Sequence, residues 1–361
     1  MGHAPEKVCT AVMEPEPEDA PRCEDASLID DWHGVAYSTD LPPGAVVHRR
    51  LLGHDLALWR GPDGAVHAWH DRCPHRGAPL SGGCVVEGAL QCPYHGWRFD
   101  GTTACTAIPA APTQRPPARA HAFAYTACER YGLVWVTLGN PAHAVPTFAE
   151  WDDPTFRGFH VGPYEWAASG FRCIENFLDI THFPYVHPEV NGVPARPDPI
   201  DDYAVIESDH GLETSEIRVF QPYGDHRATP VLAGYSYRCE RPLVAYFSKR
   251  VEVANGATRH PADWSPADRF CTLLVVHAID EVSCTVRVAL AINFGPELTQ
   301  ADIARRQDLV YDQDRAIVER QRPRRIPIDP RAEISHRTDK AGLAYRRWLG
   351  DLKIRYGTVS T

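Results

Sequence analysis

The sequence predicts an α+β chain in two parts, a small all-β domain followed by a larger domain that mixes helices with an antiparallel sheet. Three observations predict it. Short strand-like runs bounded by Gly, Pro, Asp and Asn fill residues 32–138, a second strand-rich stretch covers residues 203–294, and segments of helical periodicity near 171–182 and 300–321 flank that stretch. The boundaries read from these changes are residues 1–28 as a disordered lead-in, 29–145 as the first domain and 146–361 as the second. A chain of 361 residues, 43% hydrophobic and 23% charged, has enough apolar material for two cores.

The lead-in is assigned from its Glu, Asp, Pro and Ala content, with Glu14-Pro15-Glu16-Pro17-Glu18-Asp19 at its centre and no apolar period. Leu56 to Trp59 and Ala65 to Trp69, joined by Gly61-Pro62-Asp63-Gly64, read as a β-hairpin. Tyr131 to Leu138 is a buried strand stopped by Gly139-Asn140-Pro141, and the stretch from Pro109 to Pro117 is a loop. In the second part, Val286, Val288, Leu290, Ile292 and Phe294 alternate along Cys284 to Phe294 as a half-buried antiparallel strand requires. Thr299 followed by Asp302 resembles a capping box at the start of the late helix.

Charge and composition exclude several functions. With 37 basic against 47 acidic residues the net charge is -10, and apart from Arg322, Arg324 and Arg325 the basic residues are scattered, so no nucleic-acid footprint is expected. No apolar run reaches the roughly 18 residues of a membrane span. Met1-Gly2-His3-Ala4-Pro5-Glu6 opens without a basic region or an apolar core, so a cytoplasmic location is expected. Eleven cysteines are too sparse for a disulfide scaffold and in a reducing compartment are free thiols or metal ligands.

Spacing separates the ligands from the thiols. Cys73-Pro74-His75-Arg76-Gly77 and Cys92-Pro93-Tyr94-His95-Gly96-Trp97 form C-x-H and C-x-x-H pairs. Two thiolates and two imidazoles could hold a structural zinc, but zinc fingers pair Cys with Cys and His with His, whereas here each loop offers one of each. Interleaving suits a binuclear [2Fe-2S] centre in which two His replace two Cys on one iron. The other nine cysteines, Cys84, Cys105 and Cys128 among them, carry no paired motif and read as ordinary thiols.

A second set of residues runs from Glu175 through Asn176, Asp179 and His182 to His187. If residues 171–182 are helical, Glu175, Asp179 and His182 share one face, and Pro184 breaks the helix before His187 so that the two imidazoles can converge. A hydrogen-bonded Asp-His pair with a surface histidine is the plain alternative. Mononuclear iron sites use two His and one carboxylate on one face of Fe(II), which leaves open positions for oxygen and substrate. Among Asp302, Asp308, Asp312, Asp314 and Glu319, only Asp314 falls on the stripe of Ile303, Gln307, Val310, Ile317 and Gln321. An internal salt bridge is the alternative for that carboxylate.

The sequence resembles the Rieske proteins, and Ala78, Tyr94 and Trp97 stand where respiratory members carry extra cysteines and a serine, so the cluster looks like the oxygenase kind. Asn176, Asp179, His182 and His187 match the N-x-x-D-x-x-H-x(4)-H pattern of the Rieske non-haem iron oxygenases, and Asp314 their distant carboxylate. The tail from His336 to Leu349 is similar to tails of the single-subunit-type group that includes the vanillate and dicamba O-demethylases. The resemblance implies a helix-grip catalytic domain, a [2Fe-2S] Rieske cluster on Cys73, His75, Cys92 and His95, Fe(II) on His182, His187 and Asp314, and O2 as cosubstrate. It further implies a homotrimer in which Asp179 bridges His75 or His95 of one chain to His182 of the next. Tyr94 and Trp97 would shield the cluster, and Asn176 would orient substrate or water. No flavin, nicotinamide or plant-type ferredoxin pattern occurs, so the expected partners are a separate NAD(P)H-dependent reductase, with or without a ferredoxin, and a small-molecule substrate held by the inward faces of the 203–294 strands. The expected reaction is monooxygenation, by hydroxylation or oxidative demethylation. Ring cis-dihydroxylation is the first alternative, and a pure electron-transfer Rieske protein, needing only about the first 145 residues, is the second.

Overall fold

The computed structural model describes residues 21–360 apart from 189, 196, 198, 224–228 and 255–263. The chain divides into two compact units, Met1–Val145 and Pro146–Thr361.

Residues 1–20 of the expected lead-in lie outside the described residues, and residues 21–28 correct it. Cys23 is buried and donates its N–H to the Leu52 carbonyl at 2.9 Å, and a short helix α1 (Ala26–Ile29) buries Leu28 completely. Two apolar anchors inside an acidic, Pro-rich stretch are enough to fold it, and composition averaged them away.

The first unit is built on β1 (His33–Tyr37), β2 (Val46–Leu51), β3 (His54–Arg60), β4 (Val66–His70), β5 (Cys84–Val86), β6 (Ala89–Gln91), β7 (Arg98–Phe99), β8 (Cys105–Ala107), β9 (Ala124–Arg130) and β10 (Leu133–Thr137). An antiparallel sheet runs β1-β10-β9-β4-β3-β2, and a smaller one runs β5-β6-β7-β8. The β3–β4 hairpin closes at Arg60 opposite Val66, around the expected Gly61-to-Gly64 turn. The strand expected from Tyr131 starts two residues later, because Tyr131 and Gly132 take φ of 56° and 67° as the hairpin turn between β9 and β10. Trp59, Trp69 and Trp135 are buried in this unit, a large apolar area for so small a domain. One sequence loop precedes β5 and the other joins β6 to β7.

The second unit holds α2 (Ala149–Asp152), β11 (Arg157–Trp166), α3 (Gly170–Leu178), α4 (Phe183–Val186), β12 (Val205–Ser208), β13 (Gly211–Thr214), β14 (Ile217–Gln221), β15 (Val231–Arg241), β16 (Val244–Val253), β17 (Phe270–Ala278), β18 (Cys284–Ile292), α5 (Gln300–Val318) and α6 (Lys340–Asp351). Its antiparallel sheet runs β11-β18-β17-β16-β15-β13-β12, with β14 also paired to β15. Helix α3 packs on β16 and β17 and touches α5 and α6, while α5 packs on β11. The β18 expectation is corrected: the strand ends at Ile292, and all nine of its residues are buried, so both faces of the sheet are covered there, α2 lying against it. No helix among the described residues is long and apolar enough to cross a membrane.

The α5 stripe is also rotated. Thr299 and Asp302 form the expected capping box, worth about 1 kcal/mol, but the buried side is Ile303, Tyr311, Asp314 and Val318, and Ile317 is half exposed. The Tyr311 ring stacks on Tyr164 at 4.7 Å and meets Trp166 at 6.5 Å, which turns that edge of the helix toward β11.

Candidate metal centres

The two loops of the first unit share one backbone design. The Gly77 N–H bonds the Cys73 carbonyl at 2.9 Å and the Gly96 N–H bonds the Cys92 carbonyl at 3.1 Å, with both glycines at positive φ (74° and 69°). Each loop closes with its cysteine N–H on a later carbonyl, Ala78 for Cys73 and Trp97 for Cys92. The result buries Cys73 and Cys92 and sets the His75 and His95 rings 4.6 Å apart. A hydrogen bond shared between the thiols holds Cys92 low as thiolate and Cys73 high as thiol. The Nδ1 atom of His75 is buried without a hydrogen-bond partner among the described residues. Paired sulfurs and paired imidazoles on two matching loops fit a [2Fe-2S] cluster. Trp97 lies flat on His75 (4.3 Å, 7°), and Tyr94 covers His95 at 3.8 Å although the phenol itself is 63% exposed. All ten described cysteines are free, and Cys84, Cys105 and Cys128 sit half-buried as ordinary thiols.

In the second unit the segment after α3 departs from the expected single helix. Helix α3 stops at Leu178, and Asp179 is extended (φ -89°, ψ 135°) because its Oδ1 accepts from the Thr181 N–H at 2.8 Å and hydroxyl at 2.6 Å. Pro184 does not break a helix. It opens the short helix α4, where a missing N–H costs nothing. Glu175 therefore leaves the expected face and pairs with Arg172 (3.0 Å) and Arg346 (2.5 Å). Asn176 remains on α3 and lines the cavity described below.

This turn and α4 bring His182 and His187 together against Asp314 of α5. Nδ1 of His182 donates to Asp179 Oδ2 at 3.0 Å, and Nδ1 of His187 donates to Gln313 Oε1 at 2.9 Å. With both Nδ1 protons committed, neutral imidazoles turn Nε2 lone pairs toward each other at 3.2 Å. Asp314 Oδ1 lies 3.4 Å from Nε2 of His182 and 3.1 Å from that of His187, off the line of any N–H. Three buried lone-pair donors facing one point repel unless a cation stands among them, so the donor set fits a divalent metal. Among the described residues this is the one group of three or more His, Cys, Asp or Glu side chains that gathers around a single ion position. Burial alone would lower the His182 pKa, but Asp179 and Asp314 raise it to about 9. Burial would likewise raise Asp314, and the two imidazoles hold it well below the usual carboxylate range.

Beside this triad opens a cavity of about 630 Å³. Its walls are the inward faces of β15 to β18, as expected, together with α3 and α5. Sequence reasoning missed its aromatic lining and missed Gln313. Phe177 stacks on Phe247 (5.2 Å, 26°), and Phe183 meets Tyr235 edge-on at 5.6 Å. Alternation along β15 and β16 was a usable signal for the rings. Gln313 stands next to Asp314 in the chain, and a one-face test for the buried stripe passes over it.

Residues 31–126 match the Rieske [2Fe-2S] domain, and residues 166–353 match the vanillate O-demethylase oxygenase C-terminal domain. The chain is a Rieske non-haem iron oxygenase. This oxygenase is 31% identical over 342 residues to methylxanthine N1-demethylase NdmA of Pseudomonas putida, across 89% of this chain and 88% of that one. It superposes on the structure of Pseudomonas putida CBB5 NdmA with caffeine with a TM-score of 0.76 and 28% identity, covering 91% and 92% of the two chains. It also superposes on dicamba monooxygenase bound to dicamba with a TM-score of 0.75 and 25% identity, covering 90% of this chain and 97% of that one. A Rieske oxygenase uses a [2Fe-2S] cluster, a mononuclear iron and O2, and a lone zinc site or a bare electron carrier leaves the second matched domain without a role.

Proposed function

We propose that this oxygenase oxidatively removes a methyl group from nitrogen or oxygen of a small, flat aromatic or heteroaromatic molecule. The observation that carries the reading is the aromatic-walled cavity that ends on His182, His187 and Asp314. Its likeness to an N1-demethylase and to dicamba monooxygenase supports it. The iron, when bound, supplies activation of O2 and insertion of one oxygen atom into the methyl C–H bond. The carbinol so formed loses formaldehyde, and the balance is R–X–CH3 + O2 + 2 e⁻ + 2 H⁺ giving R–XH, HCHO and H2O.

In this reading His182, His187 and Asp314 bind the iron, and Cys73, Cys92, His75 and His95 bind the cluster. Asp179 keeps the His182 proton on Nδ1 and presents a carboxylate for electron entry, and Asn176 orients the bound substrate or a water. Electrons come from a separate NAD(P)H-dependent reductase, directly or through a ferredoxin. The functional unit is a homotrimer in the cytoplasm, where free cysteines and an exposed cluster loop persist.

The test exposes anaerobically reduced, iron-loaded protein to 18O2 with a panel of N-methyl and O-methyl arenes. Formaldehyde stoichiometric with the demethylated product is expected. A ring cis-diol with two labelled oxygens and no formaldehyde would overturn demethylation in favour of dihydroxylation.

A further inference from the structure

We infer that Cys173 and Cys284 form a peroxide-reactive dithiol at the wall of the cavity, a modification site that hydrogen peroxide converts to an intramolecular disulfide. The two thiols come from separate elements. Cys173 sits near the start of α3, and Cys284 opens β18, paired with Trp166 of β11 on one side and Ala278 of β17 on the other. Their sulfurs lie 3.4 Å apart, and both residues are almost fully buried.

A close approach of helix to sheet brings them together. A Cβ on Gly170 would stand 2.9 Å from Val276 Cγ1 and 3.0 Å from Leu243 Cδ2, so the missing side chain lets the first turn of α3 settle on the sheet. The same turn is tied down on both sides of Cys173. The Ser169 hydroxyl donates to the Gly357 carbonyl at 3.0 Å, and Arg172 pairs with Glu333 at 2.8 Å. A disulfide needs the two sulfurs about 1.4 Å closer, within reach of rotating two short side chains. Buried Cys271, by contrast, donates to the Ser248 hydroxyl and meets no second sulfur there.

The thiol protons have definite places. The Cys173 S–H donates to the Ser169 carbonyl at 3.6 Å, which leaves its lone pairs to accept the S–H of Cys284. Burial and the neighbouring Cys284 keep Cys173 a neutral thiol, so it is slow toward dilute oxidants in bulk water. Cys173 also lines the cavity that ends on His182, His187 and Asp314. When electrons reach this oxygenase with no substrate in the cavity, O2 + 2 e⁻ + 2 H⁺ gives H2O2 beside that wall, at high local concentration. Cys173 Sγ takes one peroxide oxygen to give a sulfenic acid and water, and Cys284 Sγ then displaces the hydroxyl as a second water. The balance is 2 R–SH + H2O2 giving R–S–S–R and 2 H2O. Without a second sulfur the sulfenic acid goes on to irreversible sulfinic acid, so the pair halts oxidation at a reversible stage. The inference uses the oxygenase chemistry and is independent of the demethylation reading.

The experiment treats the anaerobic, iron-loaded full chain with a small molar excess of hydrogen peroxide, removes the remainder with catalase, alkylates free thiols under denaturing conditions with N-ethylmaleimide and maps peptides by mass spectrometry. In wild type a Cys173–Cys284 cross-linked peptide is expected in most chains, with both thiols restored by dithiothreitol. Cys284→Ser should give no such cross-link and should carry Cys173 on to sulfinic acid, while Cys173→Ser should leave Cys284 a free thiol. Unchanged visible absorption of the Rieske cluster before treatment shows that each variant is folded. Recovery of both wild-type cysteines as alkylated thiols, or of Cys173 as sulfinic acid without the cross-link, overturns the site. Wild type alone carries those outcomes, so a variant that fails to fold leaves the test intact.

Discussion

Gln313 accepts the Nδ1 proton of His187 at 2.9 Å, while its chain neighbour Asp314 faces Nε2 of the same ring at 3.1 Å. Consecutive residues on one helix thus grip the two nitrogens of one imidazole. Gln313 fixes the tautomer that leaves Nε2 free for a metal. Gln313→Leu should lower Fe(II) or Co(II) affinity about 10- to 100-fold while cluster absorption is unchanged. Gln313→Glu, which keeps an acceptor, should retain most of the affinity. Metal titration of anaerobic protein measures both, and an unaltered affinity in the Leu variant would refute the role.

Asp179 divides its carboxylate between Thr181 and His182. Asp179→Asn keeps an acceptor in the turn but removes the charge that faces the His182 proton. Iron content and chemical reduction of the cluster should stay as in wild type, while product formed in a single turnover slows by roughly 10-fold or more. Full-speed turnover would remove Asp179 from the electron route.

The carboxylates of Glu175 and Glu333 bind both Arg172 and Arg346 between α3, the segment before α6, and α6 itself. Both guanidinium groups are nearly fully buried, so Arg346→Met leaves Glu175 with less compensation inside the protein and should cost about 3–5 kcal/mol in urea unfolding. Burial alone would raise the Glu333 pKa, but the two arginines draw it down to about 2. Because the folded value lies below the ordinary glutamate value of 4.5, its contribution is present above about pH 4.5 and is lost as pH falls toward 2. Glu333→Gln should flatten stability across that window, and an unchanged acid limb would contradict the assignment.

His33 gives the first unit an acid sensitivity of its own. Complete burial pushes its pKa down to about 4 despite the bond its Nε2 donates to the Leu28 carbonyl at 2.7 Å. The unfolded chain takes up this proton near pH 6.5 and the fold resists until about 4, so stability falls as pH drops through that interval. Thermal midpoints of His33→Gln, which keeps a donor without titrating in this range, should lose that component of the slope.

Much of the site was legible because its chemistry depends on residue type and spacing. The two Cys-His loops follow from ligand type and spacing, His182, His187 and Asp314 from the family's motif and from the helical face that singles out Asp314 among five acids, and the capping box that starts α5 is written in Thr299 and Asp302. The path of the chain between them was less so. Periodicity places Asp179 on a helix, yet its side chain closes a turn on Thr181, a local competition that periodicity does not register. Tyr311 and Val318, rather than Val310 and Ile317, complete the buried side of α5 because the partner surface on β11 offers rings to Tyr311. The cavity lining was hidden for a similar reason: which rings meet across β15, β16 and β17 depends on register, which no single strand contains. Cys23 and Leu28 show the same effect at the chain's start, where two buried side chains outweigh an acidic, Pro-rich composition.

The central claim is that one chain carries a Rieske cluster and a separate mononuclear iron on His182, His187 and Asp314. Iron, zinc and acid-labile sulfide per chain, measured after anaerobic Fe(II) loading of wild type and Asp314→Ala, test it most directly. About three irons and two sulfides in wild type, falling to about two irons with both sulfides kept in the variant, is the expected result. About two irons in both proteins, or zinc without sulfide, would contradict it.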